Sequence, residues 1–236
     1  MPLSAANIVT LATQAAKCPG YTTQAGQFLN DILRDLCQSY DFDVAKSVYT
    51  FSFNSGAGTN FGPYALPMDW LRGANDGVFY TIQSVPYTMI NVSNEQYDTY
   101  VRLAGLTAFP SNYTVYVGNI DQAIASNMFV WVAPSGAFPV TARYYRLMPD
   151  IATPSSSSSV PWFPNQDYLI KKLTARLMEI TADERMPLMN QAADAILQKY
   201  LKLKDDNEGR VYTVELDKRV FGKRFSALPN TKLVGF

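Results

Sequence analysis

Two carboxylates stand close together in the segment SYDFDV, at Asp41 and Asp43. Glycoside hydrolysis uses two carboxyl groups roughly 5–10 Å apart in a cleft, and residues i and i+2 on one face of a strand meet that spacing. A chain with 20 Asp and Glu residues produces such pairs by chance, so a surface or turn position is favoured over catalysis. Calcium binding is not indicated, because the acidic residues lack the spacing of an EF-hand loop.

Histidine is absent from the sequence, and cysteine occurs twice, at Cys18 and Cys37. The chain therefore has no Ser-His-Asp triad, no Cys-His pair and no imidazole ligand for a metal. It also lacks the GxxxxGK[ST] and GxGxxG patterns of phosphate-binding loops. The cysteines either lie near each other in a helical hairpin or are separate buried thiols. We expect no catalytic residue, no metal and no cofactor, and therefore not an enzyme.

Aromatic and basic side chains offer weaker possibilities for ligand binding. Trp131 in FVWV and Trp162 could stack on sugars or bases, but a strand core for Trp131 and an interface anchor for Trp162 are favoured. The cation pairs at 171–172, 218–219 and 223–224 could contact phosphate. A charge pair on a helix is more often its solvated face.

Charge is balanced over the whole chain, with 20 Lys and Arg against 20 Asp and Glu. This balance excludes a chain-wide electrostatic interface for nucleic acid. After Asp217, however, the tail carries five positive and no negative side chains. The tail is either a solvated terminus or a basic arm that docks on a partner or faces nucleic acid. The fifteen tyrosines fit either protein interfaces or ordinary strands.

The two ends of the chain show helical periodicity. Residues 1–43 predict a helical hairpin, with Ser4 capping its first helix and Thr22 or Thr23 its second. Residues 166–206 predict a second pair, with Pro187 in the first turn of its second helix. The predicted apolar stripes are Ile8, Leu11, Ala12 and Ala15, then Phe28, Ile32, Leu33 and Leu36, then Leu169, Leu173, Leu177 and Ile180, then Met189, Ala193, Ile196, Leu197 and Leu201.

Residues 44–150 are rich in β-branched and aromatic residues with period-two alternation, which predicts strands. A short amphipathic helix over 93–103 interrupts them. A Ser- and Pro-rich loop follows at 151–165, and the basic tail at 207–236 contains one possible strand, Val211–Leu216. The pattern predicts an α+β fold, in which a four-helix unit formed by the N- and C-terminal helix pairs carries an inserted antiparallel β domain and an extended C-terminal tail.

The segment NFGPYALPMDWLR is distinctive but contains no catalytic pattern. Prolines at 63 and 67 favour extended conformations before them, and an aspartate can cap a turn. We predict a structural corner between the first two strands, with Trp70 and Leu71 buried against the helices. Its residues are Tyr64, Leu66, Pro67, Asp69, Trp70 and Arg72.

Three strings give the chain a family resemblance: LNDILRDLCQSYDFDVAKSVYTFSFNSG, YALPMDWLR and YRLMPDI with the Trp that follows. In this order they resemble the head-to-tail adaptors, also called connector or tail tubular protein A-like proteins, of short-tailed bacteriophages. The resemblance implies a structural virion protein, made in the host cytoplasm, which forms a ring of twelve subunits under the portal. It further implies that DNA passes through the ring without sequence-specific contact. No signal peptide or membrane span is expected.

The resemblance also assigns surfaces to partners. Helices 166–204 would form the ring wall, and the loops at 54–63 and 134–139 would face tail nozzle or fibre proteins, or neighbouring subunits. The basic tail would dock on the portal protein. Two alternatives stay open: another phage neck, tail or capsid-decorating protein, and a carbohydrate-binding or hydrolytic module. The candidate docking residues are Lys218, Arg219, Phe221, Lys223, Arg224, Phe225 and Phe236.

Overall fold

The computed structural model describes residues 2–54, 61–102, 107–118 and 125–207. Its helices are α1 (Ala5–Ala15), α2 (Thr22–Ser39), α3 (Asn94–Arg102), α4 (Gln166–Ile180) and α5 (Met186–Asn207). Its strands are β1 (Lys46–Ser52), β2 (Tyr64–Ala65), β3 (Trp70–Ile82), β4 (Val85–Thr88), β5 (Ile90–Asn91), β6 (Thr107–Ala108), β7 (Asn112–Tyr116), β8 (Asn127–Trp131), β9 (Ala133–Pro134) and β10 (Pro139–Arg146). The predicted strand Val211–Leu216 lies outside the described residues.

The starts of α1 and α2 differ in how they are capped. The hydroxyl of Ser4 accepts the N–H of Asn7 at 3.3 Å, which confirms the predicted cap of α1. The prediction of Thr22 or Thr23 as the cap of α2 is wrong, because α2 begins at Thr22 with no side-chain cap. A 3-10 turn over Pro19–Tyr21 leads directly into α2, so both threonines already lie within the helix.

One apolar core, which we call the helical core, joins α1, α2, α4 and α5. This confirms the four-helix unit predicted from the two ends of the chain. The predicted stripe of α1 is only half right, because Leu11 is 41% exposed and Ala15 is also exposed. The side of α1 that is buried against α2 and α4 is instead centred on Ala5, Ile8, Val9 and Ala12.

The other predicted stripes are largely confirmed. In α2, Ile32, Leu33 and Leu36 are buried and Phe28 is partly buried. In α4, Ile180 is 41% exposed because it is the last residue of the helix, where the chain turns away. The remaining predicted residues of α4 and α5 all contact the helical core: Leu169, Leu173, Leu177, Met189, Ala193, Ile196, Leu197 and Leu201.

The larger sheet has the strand order β1-β10-β3-β4, with every neighbouring pair antiparallel. Tyr49 and Phe51 of β1 face inward, and Val48 on the alternate face is exposed. Strand β3 is irregular, because Val78 pairs with Ala142 whereas Gly73 pairs with Tyr144. A Cβ at Gly77 within this bulge would lie 2.6 Å from the carbonyl oxygen of Arg143, so only glycine fits there.

A second sheet has the order β2-β8-β7-β5, and β6 pairs with β9. The pairs β5–β7 and β6–β9 are short and parallel, and the other ladders are antiparallel, so the predicted α+β class is confirmed. The predicted helix over 93–103 is confirmed as α3. Its first turn is a capping box in which Ser93 and Gln96 exchange hydrogen bonds of 3.3 Å. The inner faces of the two four-stranded sheets form a second core, which we call the sheet core.

The Ser-rich loop crosses the helical core in a defined conformation. The carbonyl oxygens of Ser159 and Ser157 accept the N–H groups of Ala5 and Ala6 at 2.8 and 3.2 Å. These bonds satisfy donors that the first turn of a helix leaves without an intrahelical partner. The side-chain amide of Asn30 exchanges two 3.1 Å bonds with the backbone of Ile151. Because its carbonyl oxygens accept hydrogen bonds from the first N–H groups of α1, the loop is part of the helical unit.

The buried phenol of Tyr168 in α4 is expected to make the fold less stable at alkaline pH. Burial raises the pKa of Tyr168 to about 12 from an ordinary value of 10.0. Between these two values the unfolded chain ionises first, so the contribution of the neutral buried phenol is lost as pH rises. We expect the melting temperature of the Tyr168→Phe variant to fall less between pH 10 and 12 than that of the unaltered chain.

Thermal unfolding followed by circular dichroism over that pH range checks this prediction. Tyr21→Phe is the control, because Tyr21 is 42% exposed, and we expect it to follow the unaltered chain. An equally steep fall for Tyr168→Phe would show that this phenol does not set the alkaline limit.

Candidate functional site

The helical core and the sheet core meet in a small third cluster, which we call the junction. Its buried residues are Cys37 of α2, Ala45 in the 3-10 turn before β1, and Tyr145 of β10. Four partly buried residues pack against them: Leu71, Ala74, Met148 and Trp162. The thiol of Cys37 donates to the carbonyl oxygen of Arg146 at 3.2 Å. The junction therefore couples the end of α2 directly to the central strands of the sheet.

Arg72 of β3 is the main polar contact of the junction. Its Nε donates to the carboxylate of Asp41 at 2.7 Å, and its two terminal nitrogens each donate at 2.9 Å to a carbonyl oxygen, those of Gln38 and Tyr40. Its guanidinium also lies 5.3 Å from the ring centroid of Tyr145. A cation at the last carbonyls of a helix satisfies acceptors without intrahelical partners and interacts favourably with the helix dipole. One side chain of the sheet thus caps α2.

Three residues of the predicted corner, Tyr64, Leu66 and Trp70, belong to the sheet core. Tyr64 and Leu66 are buried beside β8, where the N–H of Leu66 donates to Ser126 at 2.9 Å. Trp70 is 1% exposed and stacks on Tyr144, with ring centroids 4.7 Å apart. The phenol of Tyr144 donates to the carboxylate of Asp69 at 2.9 Å. The pKa of Tyr144 is raised, first by burial.

One part of the corner prediction is wrong: Trp70 packs in the sheet core and not against the helices. Leu71 does lie at the junction, and Arg72 points to α2. The cause is a register shift, because Trp70 pairs with Arg146 whereas Arg72 pairs with Tyr145. The extra residue on β3 reverses the alternation there. Trp70 and Arg72 therefore point to opposite faces and connect the two cores. Pro67 is partly buried, and its carbonyl accepts the N–H of Trp70 at 3.0 Å.

Replacing Arg72 by Met tests this contact. We expect the free energy of unfolding to fall by about 1.5–3 kcal/mol, because the charged hydrogen bonds to the end of α2 are lost. Arg143→Met is the matched control. Arg143 lies on the exposed face of β10, and its guanidinium carbon is 5.6 Å from the ring centroid of Phe79. We therefore expect its replacement to lower the free energy of unfolding by at most about 1 kcal/mol.

Urea unfolding of the three proteins measures both differences. Equal losses for the two Arg→Met variants would mean that Arg72 has no special part in joining the cores.

A half-open groove of about 500 Å³ lies beside the junction, between Asp41, β1, β3 and β10. Asp41 pairs with Arg72, and Asp43 pairs with Lys46 at 2.5 Å. Asp43 lies in a 3-10 turn and not on a strand. The two carboxylates therefore have separate cation partners, and the geometry gives no support to a paired acid–base site.

The other side chains considered as ligand-binding candidates make contacts within the chain. Trp131 stacks with the rings of Phe61 and Tyr100, at centroid distances of 5.7 and 6.3 Å. Trp162 packs edge-on against Phe163 and tilted against Phe42. It anchors the preceding loop to the helical core.

Among the cation pairs of the sequence, that at 171–172 lies on a described helix. Lys172 donates to Asn190 and Asp194 of α5 at 2.7 and 3.0 Å, so it joins α4 to α5. Cys18 and Cys37 are separate buried free thiols. The described part of the chain holds no group of three or more His, Cys, Asp or Glu side chains arranged for a metal.

An apolar surface lies at the end of the sheet that carries the loop before β10. Phe138 of that loop contacts Phe109 and Tyr80, each at 5.7 Å, and Tyr80 stacks on Tyr87 at 5.6 Å. We call these four residues the aromatic row. Phe109 is 57% and Tyr87 46% exposed, so the row presents aromatic surface to solvent. The loop at 134–139 is among the contact regions predicted from the sequence, whereas Phe109, Tyr80 and Tyr87, which are distant from it in the chain, are not.

Two predicted contact regions are not covered by the structure. Residues 55–60 of the loop at 54–63 and all the candidate docking residues, from Lys218 to Phe236, lie outside the described residues. Their roles stay predictions. No described helix is long and apolar enough to cross a membrane.

Comparison with known proteins gives one family. A family model described as SU10 adaptor protein matches residues 4–216. The match includes the helical core, the junction, the sheet core and the first residues of the tail. No curated protein matches the chain.

Proposed function

This chain belongs to the SU10 adaptor protein family, and we propose that it joins the portal to the tail in a short-tailed bacteriophage. Membership makes it a phage structural adaptor protein and a virion component. The finer proposal concerns its neighbours: the portal protein on one side, tail nozzle or fibre proteins on the other, and further copies of itself in a ring, for which twelve subunits are expected. Synthesis in the host cytoplasm is part of the proposal.

The observation that carries the proposal is the family match over both cores. Helices 166–204 would form the ring wall. Two observations support this assignment. Lys172 of α4 donates hydrogen bonds to Asn190 and Asp194 of α5. Leu188 and Leu203 of α5 are 67% and 57% exposed. Exposed leucines on a helix favour contact with another protein surface. The balanced charge of the chain agrees with DNA passing through the ring without sequence-specific contact.

Tail components would meet the sheet end of the molecule. The aromatic row supports this assignment, because aromatic side chains are enriched in protein interfaces and lose little side-chain entropy there. The basic tail would dock on the portal. A segment that orders only on its partner loses conformational entropy, and a ring of many copies offsets that cost through multivalency.

Mixing the purified chain with the portal protein of the same phage tests the proposal. We expect a stable complex in size-exclusion chromatography with light scattering, with several copies of the chain on each portal. A monomeric free chain would be compatible, because the ring can require the portal as a template. Absence of a complex, together with binding to a capsid or tail-tip protein, would favour another phage structural role.

A further inference from the structure

The two edge strands of the larger sheet, β1 and β4, differ in length and in composition. Strand β4 is a four-residue edge that contains Pro86. Short length and proline are the usual means by which a protein prevents another strand from pairing with an edge. Strand β1 at the other edge has seven residues, no proline and a single charged residue at its start. No described strand pairs with the outer side of β1.

The inner face of β1 ends in aromatic side chains that are only partly covered. Tyr49 and Phe51 stack with ring centroids 5.7 Å apart, and both pack against the sheet core while remaining partly exposed. A further strand on this edge would extend the sheet core by one row. Its residues facing that row would need to be apolar, and those facing the outer side polar or small.

The segment Val211–Leu216, sequence VYTVEL, has this pattern. From Tyr212 onward, Tyr212, Val214 and Leu216 form one apolar set, and Thr213 and Glu215 alternate with them, whereas Val211 begins the segment on the polar side. The alternation is that of a strand with one buried face.

The chain reaches the edge of β1 from the end of α5. Tyr200 of α5 lies against Phe42, with centroids 6.2 Å apart, and Phe42 precedes the first residue of β1 by four positions. From Tyr200, α5 continues to Asn207, which adds roughly 10 Å at 1.5 Å per residue. Residues 208–210 then span at most about 11 Å. These lengths allow the start of the segment to meet β1 of the same chain when the residues after α5 turn toward the sheet.

We propose that Val211–Leu216 pairs with the outer edge of β1, along Ser47–Ser52, in the same chain as a fifth strand of the larger sheet. The pairing covers the exposed edge and the aromatic pair Tyr49–Phe51. It also fixes where the basic residues after Asp217 leave the body. A shorter free arm has a higher effective concentration at a partner held nearby. The pairing concerns the free chain and does not depend on the portal.

Residue-resolved hydrogen exchange of the full chain tests the proposal. The amides of β1 that point away from β10 are compared in the unaltered chain, in Val214→Pro and in the control Val220→Pro. Proline removes an N–H and disfavours a paired strand, and Val220 lies in the same tail outside the segment. We expect Val214→Pro to speed exchange of these amides by at least ~10-fold, whereas amides of β3 and the control variant are unchanged.

Three results would overturn the pairing. The first is equal exchange of the outward amides in the unaltered chain and Val214→Pro. The second is the same acceleration in Val220→Pro, which would indicate a general effect of the tail. The third is protection that rises with protein concentration, which would mean that a second copy covers β1.

Discussion

Neutralising the paired cations of the C-terminal tail is expected to weaken binding to the portal by ~30- to 1,000-fold. The variant carries Lys218→Gln, Arg219→Gln, Lys223→Gln and Arg224→Gln. If each cation meets an acidic partner at a partly exposed interface, its loss costs about 0.5–1 kcal/mol, and four such losses give about 2–4 kcal/mol. Titration of labelled chain with portal protein at fixed salt measures the effect.

The control removes the same charge from the body. It combines Lys17→Gln, Arg34→Gln, Arg102→Gln and Arg143→Gln, all outside the proposed ring-wall helices, and we expect its portal affinity to stay within about threefold of the unaltered chain. A tail variant that binds like this control would contradict the docking role of the tail. The aromatic docking candidates allow a second variant, Phe221→Ala with Phe225→Ala, because buried aromatic anchors carry much of the energy in many interfaces.

Truncation of Phe163 to Ala is expected to lower the free energy of unfolding by about 3–5 kcal/mol. Phe163 is fully buried and lies at the centre of an aromatic cluster with Phe42, Trp162, Tyr168 and Tyr200, at centroid distances of 5.2–5.8 Å. The substitution leaves a cavity where α4, α5, the segment after α2 and the crossing loop meet. At about 2–4 °C per kcal/mol for a chain of this size, the melting temperature would fall by roughly 10 °C.

Phe109→Ala is the matched control for this loss. Phe109 is 57% exposed, and we expect a change within about 1 kcal/mol, because surface substitutions seldom exceed this range. Differential scanning calorimetry compares the two variants. Similar melting temperatures for Phe163→Ala and Phe109→Ala would show that the cluster around Phe163 does not hold the helical unit together.

The helical unit was accessible from the sequence because its signals are local. The 3.6-residue stripes of α2, α4 and α5, the Ser4 cap and the break before Pro187 all depend on neighbours within one or two turns. The errors in this region have local causes too. Because the 3-10 turn at Pro19–Tyr21 leads directly into α2, Thr22 and Thr23 lie inside the helix and not at its cap. Ile180 is exposed because it is the last residue of α4.

The junction could not be derived in the same way. Trp70 and Arg72 differ in direction because of a register shift against β10, a partner more than 70 positions away along the chain. The contacts of Arg72 with the end of α2 and of Asp69 with Tyr144 likewise join residues distant in sequence. The prediction placed Trp70 together with Leu71 against the helices, and nothing in the local sequence marks the register shift that directs Trp70 into the sheet core.

Cryo-electron microscopy of purified virions tests the central claim most directly. The helical core and the larger sheet are distinct enough in shape to be recognised in a density map. We expect copies of this chain to form a ring between the portal and the tail, with residues after Asp217 in contact with the portal. A map that places the chain on the capsid surface or at the tail tip, with no copy touching the portal, would contradict it.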